Sequence, residues 1–245
     1  MLHGLRMVDW CAVRARTSLL PSSVLSLSGL AVVASGFADA ATRPIDSTAS
    51  TTTDEPIPDP ADPELRAELI EMAAMDQAVR TGVAPLGDDR TADELFALWD
   101  QVDAANSSRM EEVLDEYGWP GFRLVGRDGA SAAWLLIQHA DLRPELQARG
   151  LVLMATAVEA GDADSSEWAY LVDRVRVGND EPQLYGTQWR LDENGAWTPT
   201  TPIENEDGVV DQRRSDVGPG TLDEYRLELE AAYEMPDESA PASTQ

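Results

Sequence analysis

Between Gly126 and Gln188 the chain sets an imidazole, carboxylates, a guanidinium and several amides and hydroxyls into otherwise apolar sequence. His139, Asp141 and Asp173 are of the types that move protons, and Gln138, Gln147, Arg174, Gln183, Tyr185, Thr187 and Gln188 of the types that hold a polar ligand. An imidazole is the group among these that titrates near neutrality, so His139 is the candidate general base, with Asp141 or Asp173 to orient it. Arg174, Tyr185, Thr187 or Gln188 would then bind substrate and stabilise developing charge. Left unpaired in apolar surroundings, such groups cost roughly 1–3 kcal/mol each, more for a charge. They need partners or a cleft.

Other chemistries fit less well. No Gly-x-Ser-x-Gly elbow exists, and Thr187 beside Gly186 is the one nucleophile candidate in the ribbon. Glycoside cleavage needs two acids about 5–9.5 Å apart, a role open to Asp141 with Asp173. Asp162-x-Asp164-x-Ser166 with Asp173 at the twelfth place imitates a calcium loop, but Glu167 replaces the glycine that loop requires. No metal and no cofactor is expected. Two non-enzymatic readings remain: a binding module for a small polar ligand, glycan or peptide, and a scaffold whose Asp173–Arg174 pair and core histidine only fix the fold. Buried ion pairs add little net stability, so stability alone explains the cluster poorly.

The elements that must position these groups follow from periodicity. Ala130 to Asp141 is apolar nearly all round, as a buried helix is, with Asp128-Gly129 a turn before it. Trp134, Ile137, Gln138 and Asp141 fall on one stripe. A second helix runs Glu145 to Ala160 from Pro144 to Gly161. A third starts at Asp164, capped in box spacing with Glu167, and repeats Trp168, Leu171, Val172, Val175. Gln183 to Leu191 reads as a strand interrupted by Gly186, and Asp192-Glu193-Asn194-Gly195 as a hairpin turn. Upstream, Asp62-Pro63 opens a helix whose face is Leu65, Leu69, Met72 and Val79, with Asp76, Gln77 and Arg80 near its end. Thr91 and Glu94 box another, which Asn106-Ser107-Ser108 could break. Thr198 to Gly220 reads as an irregular acidic loop carrying Asp211, Arg213 and Arg214, and Thr221 with Glu224 boxes the last helix.

The 245 residues suit one domain with tails. Residues 1–40 read as a signal peptide with arginines, a semi-apolar run and an Ala38-Asp39-Ala40 cleavage site, so removal is expected after Ala40. The rival is an uncleaved anchor of about 20 apolar residues. Residues 41–61 read as a disordered spacer, 62–235 as one globular domain and 236–245 as a disordered tail. Cys11 would leave with the leader, so no disulfide is expected, and His139 becomes the sole histidine. The net charge of −27 repels nucleic acid and anionic lipid. The mature domain is expected to be secreted or held in the cell envelope, off the membrane, and monomeric.

Gln138-His139-Ala140-Asp141, Gln147, Leu171-Val172-Asp173-Arg174 and Gln183-Leu184-Tyr185-Gly186-Thr187-Gln188 together resemble the signature of a bacterial domain family of unknown function typified by a Gly-Thr-Gln motif. Asp76-Gln77, Asp103 to Asn106, Tyr117-Gly118-Trp119-Pro120, Val125-Gly126 and Arg213-Arg214 fit the same pattern, so the resemblance spans about Leu65 to Tyr233. It implies no particular activity. The resulting expectation is an α+β domain, mainly α-helical with five to six helices and a small β-hairpin after the third core helix. A polar pocket is expected between the Ala130 helix, the Trp168 helix and the ribbon.

Overall fold

A computed structural model describes residues 59–81 and 91–232. The expected leader with its cleavage point, the spacer up to residue 58 and the tail lie outside the described residues. Helix α1 spans Pro63–Thr81, α2 Ala92–Tyr117, α3 Phe122–Gln138, α4 Pro144–Glu159 and α5 Ser165–Gly178. A hairpin of β1 (Trp189–Leu191) and β2 (Trp197–Pro199) follows, then α6 (Val209–Val217) and α7 (Leu222–Ala232). The domain is mainly α-helical with one small antiparallel hairpin. No helix among the described residues is long and apolar enough to cross a membrane.

Local chemistry sets the boundaries. Asp62 Oδ1 accepts the Leu65 N–H at 2.9 Å and Pro63 fills the first position of α1. Thr91 and Glu94 close a full capping box on α2. Asp164 caps α5 through the Ser166 and Glu167 N–H groups, while the Glu167 carboxylate takes the Ser131 hydroxyl at 2.5 Å. The Asn106-Ser107-Ser108 run does not break α2, which continues through it.

Helix α3 is the centre of the bundle and packs against α1, α2, α4 and α5. Ala132 to Ile137 are buried without interruption, and Leu69, Met110, Val113, Leu146, Met154, Trp168 and Leu171 close around them. The helix differs from expectation at both ends. It starts at Phe122, and Asp128-Gly129 lies inside it, because the bend falls at Gly126, whose φ of 73° and ψ of 171° are open to glycine and little else. It stops at Gln138, so Asp141 stands in the following turn and not on the Trp134–Gln138 stripe. Pro144 disfavours helical geometry at Arg143 (φ −131°, ψ 64°), and the Gln147 amide donates to the Gln138 carbonyl at 3.0 Å.

Two other readings change. Gln183 to Gln188 is not strand: only Trp189–Leu191 pairs, with Trp189 opposite Pro199 and Leu191 opposite Trp197. The preceding residues make one isolated bridge, Gln183 to Ile203, since Gly186 adopts a φ of 63° and the N–H groups beside it turn to Asp173. The expected loop Thr198–Gly220 contains α6, bracketed by Gly208 and Gly218 at φ 75° and 93° and built around buried Arg214. A second apolar cluster of Trp189, Tyr225 and Leu229 joins the hairpin to α7.

A Cβ at Gly126 would stand 3.2 Å from both Asp128 Oδ1 and Pro60 Cγ, in a backbone region that L side chains avoid. Gly126→Ala is expected to lower unfolding stability by roughly 1–3 kcal/mol, read from the urea midpoint at unchanged slope. A shift no larger than experimental scatter would show that the bend accepts a side chain.

Candidate functional site

His139 caps the C-terminus of α3, and its ring is 17% exposed. Its Nδ1 lies 2.7 Å from Oδ2 of Asp76, a carboxylate of α1 that is 1% exposed. Asp76 Oδ1 accepts from Arg80 Nη1 at 2.6 Å, and Gln77 donates to Oδ2 at 3.0 Å. Arg80 Nη2 reaches across to α2 and donates to Asp103 Oδ1 at 2.9 Å, while Trp99 Nε1 donates to Asp103 Oδ2 at 2.7 Å. The guanidinium also stacks 4.8 Å from the Trp99 ring. Burial pushes the Asp76 carboxyl upward, but His139, Arg80 and Gln77 outweigh it and hold the group below its ordinary range. At Asp103 burial prevails over Arg80 and the carboxyl is raised.

This polar chain ends at a cavity of about 150 Å³ walled by His139, Asp103, Ser107, Ser108, Leu142 and Arg143, among others. Leu142 is 64% exposed beside it. Arg143 is held by Glu111 at 3.0 Å and by Glu145.

A second polar system is closed. Asp173, with no exposure, accepts the Leu184 N–H at 2.7 Å, the Tyr185 N–H at 3.2 Å, and the Thr187 N–H and hydroxyl at 2.9 and 3.0 Å. Burial still pushes its carboxyl up against the pull of these donors. Gln183 uses its whole amide internally: Oε1 takes the Gln188 N–H at 2.7 Å, and Nε2 donates to the Gln188 and Thr201 carbonyls at 2.9 and 3.1 Å. Arg214, also without exposure, donates to the carbonyls of Tyr185, Pro219 and Gly220, and Arg213 to those of Leu184 and Glu204. Tyr185 packs edge-on to Trp168, and burial, with the nearby Asp173 charge, pushes its phenol up to about 12.

Asp141 and Arg174 lie between the two systems. Arg174 holds Asp141 in a fork, Nε to Oδ1 at 3.0 Å and Nη2 to Oδ2 at 2.6 Å, and Nη1 donates to Gln188 Oε1 at 3.3 Å. Gln147 adds a bond to Asp141 Oδ1 at 3.1 Å. Arg174, Asp141, Gln147 and Gln188 thus form one group of bonds and Asp173, Gln183, Tyr185 and Thr187 another, and Gln188 joins the two, its Nε2 donating to the Thr187 hydroxyl at 3.0 Å and its N–H to Gln183 Oε1 at 2.7 Å. Gln138 is buried, and its Oε1 has no hydrogen-bond partner. His139 belongs to neither network: the carboxylate against it is Asp76, while Asp141 is committed to Arg174 and Asp173 to the ribbon. Asp141 and Asp173 share no groove.

Sequence reasoning placed Asp76, Arg80 and Asp103 on helices without giving them a role at His139. A signal was present, since Asp76 falls on the apolar stripe Leu65, Leu69, Met72, Val79 and a carboxylate there must be paired.

Comparison with protein families finds that the family of unknown function DUF6624 matches residues 63–236. The chain belongs to that family. No curated protein and no solved structure matches it. Both polar systems fall within the DUF6624 domain.

Asp173→Ala would leave three N–H groups and a hydroxyl facing an empty acceptor position. It is expected to cost the DUF6624 domain roughly 3–5 kcal/mol and to speed amide exchange at Leu184, Tyr185 and Thr187. Unaltered exchange at those three would show that the ribbon holds itself. Asp76 carries a pH signature of definite sign. Its folded pKa is depressed, so the stability it contributes is present above the ordinary value of 3.8 and is lost as pH falls through the folded value. Urea titrations of Asp76→Asn should show a lower plateau near neutrality and a flatter decline below pH 3.8 than the unsubstituted chain.

Proposed function

We propose that this DUF6624 domain is a general-base hydrolase for a small polar substrate, with His139 as the base and Asp76 as the carboxylate that orients it. The supporting observation is the 2.7 Å contact between them at the wall of a cavity. An ionised Asp76 can only accept, so in the neutral imidazole the hydrogen sits on Nδ1 and Nε2 keeps its lone pair. That is the tautomer a base needs, and the arrangement is the carboxylate–imidazole half of a catalytic triad. Arg80 and Asp103 hold Asp76 from behind. Two carboxylates against one guanidinium leave this group one negative charge, which a proton received by the imidazole would neutralise.

The cavity limits the substrate. At about 150 Å³ it lies below the 300–1,000 Å³ usual for drug-sized ligands and would take a small group or the end of a longer molecule. A chain of net charge −27 repels anions at long range, which favours neutral or cationic substrates. Leu142 offers an apolar contact at the rim. We also propose that the leader exports the domain and leaves after Ala40. A mature mass that still includes residues 1–40 would contradict that.

The test is turnover of small chromogenic esters and amides. His139→Ala should lower kcat/KM by roughly 10²–10⁴-fold in a chain that still folds, and Asp76→Asn should lower it in the same direction. Undiminished turnover in folded His139→Ala would sink the proposal. If the variant instead changed affinity for a non-hydrolysed ligand and no substrate turned over, the domain would be a binding module.

A further inference from the structure

Resting on the reading of His139 as base, we propose that Ser107 is the nucleophile of this site and that its substrates are small acyl esters. Ser107 lies in the middle of α2, is 4% exposed, and lines the same cavity as His139. A serine inside a helix ordinarily turns its hydroxyl back to the carbonyl four residues earlier. Ser108 does so, donating to the Ala104 carbonyl at 3.0 Å. Ser107 does not: among the described residues its hydroxyl makes no hydrogen bond, although the residue is buried. The Ser107 hydroxyl is not among the buried polar atoms left without a partner, so it reaches open space, and the cavity that Ser107 lines together with His139 is where that space lies.

Ser107, His139 and Asp76 come from α2, the end of α3 and α1, in the order nucleophile, base and orienting carboxylate. No hydrogen bond joins Ser107 to His139 in the structure, and such contacts often tighten only around substrate. In the reaction Ser107 Oγ forms a bond to the acyl carbon while its proton passes to His139 Nε2. The adduct collapses as the carbon–oxygen bond to the alcohol breaks, and His139 returns the proton to that oxygen. Water, deprotonated by His139, then attacks the acyl-serine, frees the acid and restores Ser107.

The experiment mixes the full chain with 4-nitrophenyl acetate, quenches in acid and locates the acetyl group by peptide mass spectrometry. Phenylmethanesulfonyl fluoride serves as a second probe. The expected result is modification at Ser107, lost in Ser107→Ala and in His139→Ala. Turnover in Ser107→Ala should fall at least about 100-fold with the melting temperature little changed, since the hydroxyl makes no hydrogen bond that the substitution would remove. Absence of a Ser107 adduct with both probes, or an adduct on another residue, overturns the assignment. If Ser107→Ala keeps its turnover while His139→Ala loses it, the nucleophile is water and the base assignment stands alone. If both variants keep it, both assignments fall.

Discussion

A carboxylate without contact to water must gather donors from the chain around it, and Asp173 does this for the C-terminal third of the domain. Three N–H groups and one hydroxyl from Leu184 to Thr187 converge on it. Removing an ion from water costs several kcal/mol even after relaxation, and that cost is offset only when nearly every lone pair is bonded. The result is a loop with one conformation, bent at Gly186 where φ is 63°. Everything beyond follows from that loop. Tyr225 of α7 donates its hydroxyl to the Thr187 carbonyl at 3.0 Å, and Arg214 of α6 binds the Tyr185 carbonyl at 2.7 Å. Asp173 on the N–H side and Arg214 on the C=O side hold Tyr185 between opposite charges, so neither buried ion stands alone.

The polar chain at α1 and α2 uses the same chemistry to a different end. In the Asp173 system the donors and acceptors close on one another. In the Asp76 system the bonds run from Trp99 and Asp103 through Arg80 and Asp76 to the imidazole of His139, a residue that lines a cavity. The two systems touch through one turn. His139 and Asp141 are two residues apart, tied by the Asp141 N–H to the His139 carbonyl at 2.8 Å, yet their side chains face different partners. Arg174 clamps Asp141, and Arg174 in turn meets Gln188 of the ribbon. The closed system therefore fixes the turn that carries His139.

Most of the helices were legible because amphipathic repeats and caps are local. Asp62, Thr91 with Glu94, Pro144, Asp164 and Thr221 with Glu224 all mark helix starts, and the bonds they make are within a few residues. Asp192 was legible for the same reason, since it bonds the Asn194 and Ala196 N–H groups of its own turn. What periodicity missed is non-local. A strand pattern in Gln183 to Gln188 gave way because Asp173, far along the chain, captured its N–H groups. Helix α6 has little apolar pattern and forms around the bonds of Arg214 to distant carbonyls. The candidate residues were recognisable by type, and Asp173 with Arg174 was rightly suspected of being buried. Their division was not recognisable, because adjacent helical residues point about 100° apart: Asp173 takes the ribbon N–H groups and Arg174 takes Asp141, and the two meet again through Gln188 and Thr187.

The position of His139 draws on that same division. An imidazole inside the closed system would have both nitrogens bonded and nothing left for a ligand. At the C-terminus of α3 its N–H still closes the ladder to the Leu135 carbonyl at 3.1 Å, and its ring stands at the negative end of the helix dipole, one hydrogen bond from the Asp76 carboxylate. The buried apolar residues of α3 lie beside it, and Leu142 and Arg143 line the same cavity as the ring. The Asp103–Arg80–Asp76 chain holds that imidazole in one orientation, and it is the feature on which the role proposed for His139 rests.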